Sequence, residues 1–146
     1  MKRPILLHPD PRLKRTAAPL GDLTDALRTL ADDMLETMYA APGIGLAAPQ
    51  VGVDARLIVL DCEKADMGAP RPTIMFDPRI VAASDETSTY EEGCLSIPDQ
   101  YADVTRPAEV EVRWLDRDGV ERREGMDALW ATCVQHEIDH LEGKLF

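Results

Sequence analysis

The chain has 146 residues, enough for one hydrophobic core and short of two. Hydrophobic residues make up 45% and charged residues 29%, an ordinary mix for a globular domain. Sixteen basic against 27 acidic side chains leave a net charge of −11, which repels polyanions, argues against direct nucleic-acid binding and reads mainly as a solubility feature.

Met1-Lys2-Arg3 is a charged start, but the apolar run behind it, Ile5-Leu6-Leu7, is too short for a signal peptide. Leu57-Ile58-Val59-Leu60 is strand-sized and cannot span a bilayer, so no membrane contact and a cytoplasmic location are expected. Pro4, Pro9, Pro11 and Pro19 predict an extended strap from Pro4 to Leu20. A helix follows from Leu23, with apolar residues at Leu27, Leu30, Met34, Leu35 and Met38, with Asp22 or Thr24 as N-cap and Pro42-Gly43 as its end. Its methionines have the spacing of core residues.

Strands are predicted over Ala55–Asp61, Thr73–Phe76, Arg79–Ala83 and Ala108–Leu115, the last with Val110, Val112 and Trp114 alternating with charged residues. Lys64–Pro72 reads as a loop, and Asp116-Arg117-Asp118-Gly119 as a hairpin turn into Val120–Glu124. A final helix should start near Met126 or Asp127, run through His140 and close at Gly143. The expectation is a single α+β domain over residues 1–146, with short, mainly antiparallel strands packed around a central C-terminal helix.

That helix carries His136-Glu137-Ile138-Asp139-His140. Histidines four apart share one helical face, ~5–6 Å between Cβ atoms, and can grip one metal ion. The glutamate between them can take a proton from an attacking water. Two histidines leave such a site one protein ligand short. Phe146 stands where the metzincin pattern would place a third histidine, and too little sequence follows His140 for a downstream glutamate, so the third ligand is expected upstream.

The cysteines Cys62, Cys94 and Cys133 are odd in number with no secretory signal, which argues for reduced thiols. Cys133 lies seven residues from His140, ~10.5 Å along a helix, poor geometry for one tetrahedral ion, and reads as a packing residue. Nothing around Cys62 suggests a site, and His8 sits in the proline-rich strap. Cys94 lies in Glu92-Gly93-Cys94-Leu95-Ser96, where Gly93 lets the backbone approach a ligand and a thiolate would complete a Cys/His/His set. A buried cysteine in a turn is the simpler reading of Cys94 alone; beside an incomplete HExxH pair, the ligand reading prevails. Gly43 to Gln50 is free of bulk around Gly43, Gly45, Ala47 and Ala48 and offers one amide donor, Gln50. On its own this segment reads more readily as a tight turn entering a small-residue strand.

Taken together, the three segments resemble the signature of the bacterial-type peptide deformylase family: GxGxAAxQ, EGCxS and HExxH, in that order. Gly43–Gln50, Glu92–Ser96 and His136–His140 supply them without a mismatch, and the flanks, Pro9-Asp10-Pro11, Pro98 and Gln135, fit as well. The resemblance implies that Cys94, His136 and His140 hold the metal, that Glu137 is the general acid/base, and that Gln50 and the Leu95 N–H bind the developing oxyanion. It implies a substrate backbone alongside Gly45 and Gly93, with Ile44 and Leu129 lining the methionine side-chain pocket. The implied activity is removal of the formyl group from N-formylmethionyl nascent polypeptides, releasing formate. The implied cofactor is one divalent ion, Fe(II) in vivo, with Zn(II), Ni(II) or Co(II) able to replace it.

Two departures stand out. Family members usually continue into a C-terminal extension that in some docks on the ribosome; its absence here argues against ribosome contact by that route. Ala128 and Trp130 occupy positions where glycine and a smaller apolar residue are expected, so Trp130 either packs or narrows the side-chain pocket. The competing readings are an HExxH metallopeptidase and an inactive paralogue that binds metal and formylated peptides without turnover.

Overall fold

The computed structural model describes residues 1–63 and 70–145. The loop expected at Lys64–Pro72 falls largely on residues 64–69, and Phe146 also lies outside the described residues. Helix α1 spans Asp25–Ala40, and Thr24 is its N-cap, its hydroxyl accepting from the Leu27 N–H at 3.2 Å. Then come β1 (Gly45–Ala47), a 3₁₀ turn (Ala48–Val51), β2 (Leu57–Leu60), β3 (Thr73–Ala83), β4 (Thr87–Cys94), β5 (Ile97–Pro107), β6 (Val110–Leu115), β7 (Glu121–Met126) and helix α2 (Ala128–Leu141). The strap holds one 3₁₀ turn, Pro11–Lys14, capped by Asp10 and burying Leu13.

The strands form a five-stranded sheet in the order β1-β2-β3-β6-β7 and a separate hairpin, β4-β5; every pairing is antiparallel. The apolar run of β2 is buried on both faces. Leu57 and Val59 join Leu30, Met34 and Met38 of α1, while Ile58 and Leu60 join Val134 and Leu141 of α2. A strand with alternate side chains in two cores must be apolar throughout. Helix α2 is correspondingly central: Ala131 to Ile138, His140 and Leu141 are buried.

The sequence reading differs from the fold in its strands. Thr73–Phe76 and Arg79–Ala83 are one 11-residue strand, continuous through Asp77-Pro78 because a register shift between Phe76 and Arg79 accommodates the proline. The β4-β5 hairpin was not foreseen, and β5 is also longer than the short strands expected. Its inward positions include Glu92 and Arg106, so the apolar alternation that announces β6 is missing there.

Candidate active site

Three elements meet at the site. Helix α2 presents Leu129, Thr132, Cys133, His136 and Glu137, spaced three and four apart, to one cavity. The end of β4 brings Cys94, the turn after it brings Leu95 to the cavity and Ser96 against Gln50, and the segment around β1 brings Ile44, Gly45 and Gln50. The cavity has a volume of 560 Å³. A larger one of 880 Å³ lies by Arg71 and Trp130, but no residue of the three motifs lines it.

Cys94, His136 and His140 are all buried, and their ligand atoms lie within 4.8 Å of one another. His136 Nε2 is 3.0 Å from His140 Nε2, and Cys94 Sγ is 3.4 Å from His140 Nε2. Cys133 and Cys62 are not in this group; both are free thiols buried near each other in the core packed on α2. His8 is exposed in the strap.

The His136 ring is held from behind. Its Nδ1 lies 2.9 Å from Glu92 Oε1, leaving Nε2 to face the other ligand atoms. Glu92 in turn accepts from Arg106 through Nε at 2.8 Å and Nη2 at 2.9 Å, and Arg106 Nη1 reaches Asp139 at 2.7 Å. Burial alone would raise the Glu92 carboxyl, yet the hydrogen bonds from His136 and Arg106 hold it down at about 2. Arg106 was invisible in the sequence: a lone arginine 12 residues past Cys94 has no signal until the hairpin folds it inward.

Burial pushes the Glu137 carboxyl up to about 7, where a proton can be taken and returned near neutrality. Burial lowers His140 to about 3, so its imidazole is neutral. Burial opposes charge on His136, but hydrogen bonds to Cys94 and Glu92 outweigh it and raise it to about 10; a cation must displace that proton. Glu137 Oε1 and His140 Nδ1 are buried without a hydrogen-bond partner among the described residues. Two imidazoles and a thiol converging beside an unpartnered carboxylate oxygen fit one transition-metal ion.

Gln50 is 2% exposed and fully positioned. Its Oε1 accepts from the Ala47 N–H at 2.9 Å, and its Nε2 donates to Ser96 Oγ at 3.1 Å and lies 3.5 Å from Cys94 Sγ. At Gly45 a methyl group would collide with the Glu137 carboxylate, coming within 2.9 Å of its carbon. At Gly93, the space a side chain would need is filled by the Tyr101 ring. Trp130 does not line the cavity; its Nε1 donates to Glu63 at 2.9 Å and Arg71 covers its ring, so it packs rather than narrows the pocket.

Residues 2–146 match the polypeptide deformylase family. The chain belongs to that family. Deformylases are hydrolases, and its relatives carry the same description. It is 55% identical over 146 residues to a peptide deformylase of Methylocella silvestris, covering 99% of this chain and 74% of the relative. A peptide deformylase from Legionella pneumophila has the same fold, with a TM-score of 0.93 and 43% identity over 100% of this chain and 84% of that one. A Synechococcus elongatus peptide deformylase in complex with actinonin superposes with a TM-score of 0.92, also at 43% identity, over 100% of this chain and 80% of its own. Among the described residues, no helix is long and apolar enough to cross a membrane.

Proposed function

We propose that this chain, acting as a single catalytic domain, hydrolyses the formyl amide at the N-terminus of formyl-methionyl peptides and nascent chains in the cytoplasm, releasing formate. The observation that carries this reading is the convergence of Cys94, His136 and His140 beside the Glu137 carboxylate, whose Oε1 has no hydrogen-bond partner among the described residues, and the positioned Gln50 amide. Cys94, His136 and His140 would hold the divalent cation, Fe(II) in vivo with Zn(II), Ni(II) or Co(II) as substitutes, and it supplies Lewis acidity toward water and the formyl oxygen.

The chain's own groups do the rest. Glu137 takes a proton from the attacking water and returns it to the leaving amine; a carboxyl near 7 suits both transfers. Gln50 Nε2 and the Leu95 N–H meet the negative charge growing on the formyl oxygen, and the bonds of Gln50 to Ala47 and Ser96 set its direction beforehand. Strand β1 is an edge strand of the five-stranded sheet, so a peptide backbone can add alongside Gly45 and Leu46. Recognition through the backbone tolerates many sequences beyond the first residue. Ile44 and Leu129 line the same cavity and receive the methionine side chain.

Formate release from formyl-Met-Ala-Ser under oxygen-free conditions with Fe(II) or Ni(II) tests the reading. Glu137→Ala should keep the metal and lose turnover, and Cys94→Ala should lose tight metal binding while Cys133→Ala retains it. Full turnover in Glu137→Ala would overturn the proposed proton path.

A further inference from the structure

One polar side chain of the cavity wall has no place in the mechanism above. Thr132 lies on the cavity-facing stripe of α2 between Leu129 and His136 and is 6% exposed. Its hydroxyl takes part in no side-chain hydrogen bond among the described residues and, not being one of the fully buried atoms, opens into the cavity. Two other buried polar side chains of the helices bond back along their own helix: Thr37 Oγ1 donates to the Asp33 carbonyl at 2.8 Å, and Gln135 Nε2 to the Ala131 carbonyl at 2.9 Å. The corresponding carbonyl for Thr132 belongs to Ala128, whose φ of 48° departs from helical geometry. The apolar side chains Ile44 and Leu129 line the same cavity, and Cys133, next to Thr132 on α2, is a free thiol buried near Cys62. Tyr90, which also lines the cavity, is 37% exposed and belongs to the mouth.

A hydrophobic side chain that fills this wall excludes water and strands the hydroxyl, and an unpaired buried donor is unfavourable. A side chain carrying an acceptor at that level relieves it. We propose that Thr132 is a specificity-determining residue for the first side chain, donating a hydrogen bond at the position of its sulfur, so that formyl-methionine sulfoxide is a substrate alongside formyl-methionine. A thioether sulfur is a weak acceptor, a sulfoxide oxygen a strong one, and the methylene of norleucine none. The order of preference at this wall is therefore set by acceptor strength as well as by shape. This inference rests on the deformylase reading, in which the wall formed by Ile44 and Leu129 receives the first side chain.

The test compares kcat/KM for formate release from formyl-Met-Ala-Ser, its methionine sulfoxide form and its norleucine form. The metal-loaded full chain is set against Thr132→Val, which keeps the shape and removes the hydroxyl, and Thr132→Ser, which keeps the hydroxyl. The valine variant should lower the sulfoxide-to-norleucine ratio by about tenfold, the size expected for a buried hydrogen bond, and the serine variant should restore it. A ratio within twofold of the parent in Thr132→Val would overturn the inference. If Thr132→Val does not fold, Thr132→Ala is read by the same ratio and the same criterion. No formate from any of the three peptides would instead overturn the deformylase reading itself.

Discussion

Glu92→Gln isolates the contribution of the groups behind the proposed metal ligands. Glu92 is 6% exposed and joins three partners: Arg106 Nε, Arg106 Nη2 and His136 Nδ1. A glutamine of the same shape can keep one oxygen on His136 Nδ1, but its amide then turns donors toward a guanidinium that has only donors. Arg106, with a side chain only 10% exposed, would lose its Nε bond and the full charge of its partner, keeping the Nη2 bond to the oxygen shared with His136 and the contact with Asp139. Removing one partner of a buried pair costs roughly 3–5 kcal/mol, and the surviving Nη2 and Asp139 contacts set the value at the lower end, about 3 kcal/mol. For a domain of this size that is a fall in Tm of about 6–12 °C. The His136 ring is also less firmly oriented, so metal affinity should fall by about 10–100-fold. Thermal melts with and without a chelator measure the first effect, and competition against a metallochromic chelator measures the second. Glu111→Gln, which removes an exposed pair with Arg123, is the control and should shift stability by less than about 1 kcal/mol. A Glu92→Gln protein that melts and binds metal like the parent would refute the assigned role of this network.

Ala128→Gly should stabilise the fold. An L-residue at φ 48° is unfavourable by ~1–2 kcal/mol, the extra freedom of glycine in the unfolded chain returns roughly half of that, and Tm should rise by about 1–4 °C; a drop would show that the methyl group packs favourably. Gly45→Ala should keep the metal yet lower kcat/KM on the order of 100-fold, because the new methyl group displaces the Glu137 carboxylate; unchanged turnover would mean that carboxylate need not be held where it is. Tyr39 donates to Asp61 Oδ2 at 2.6 Å, and burial followed by that bond pushes its phenol up to about 12. Its folded-state pKa lies above the ordinary 10.0, so its contribution is complete below pH 10 and is lost as pH rises toward 12. Wild-type Tm should therefore fall more steeply than that of Tyr39→Phe between those limits, and parallel curves would sink the argument.

Much of the site was legible because its chemistry depends on local spacing. His136 and His140 share a helical face by periodicity alone, and Phe146 removes one familiar completion of the pair. Cys94 was preferred over Cys133 on helical rise, and the structure gathers Cys94, His136 and His140 while Cys133 turns to Cys62. The α1 periodicity, the β6 alternation and the Asp116–Gly119 turn likewise register in neighbouring residues. The β4-β5 hairpin did not, because charged residues occupy its inward positions and those charges are satisfied only by partners far along the chain.

The amino-acid sequence by itself determined the order of the motifs and the central helix that carries His136 and His140, two of the three proposed metal donors, since these follow from residue type and spacing of a few positions. Tertiary structure alone decided what supports them. Arg106 reaches Glu92 and Asp139 only after β5 folds back on β4, Gly45 meets Glu137 only across the β1–α2 contact, and Thr132 shares a cavity with Ile44 only once α2 packs beside β1. Burial does the rest: the same glutamate that is an ordinary acid in water is held near 7 at position 137 because the surrounding fold removes its solvent.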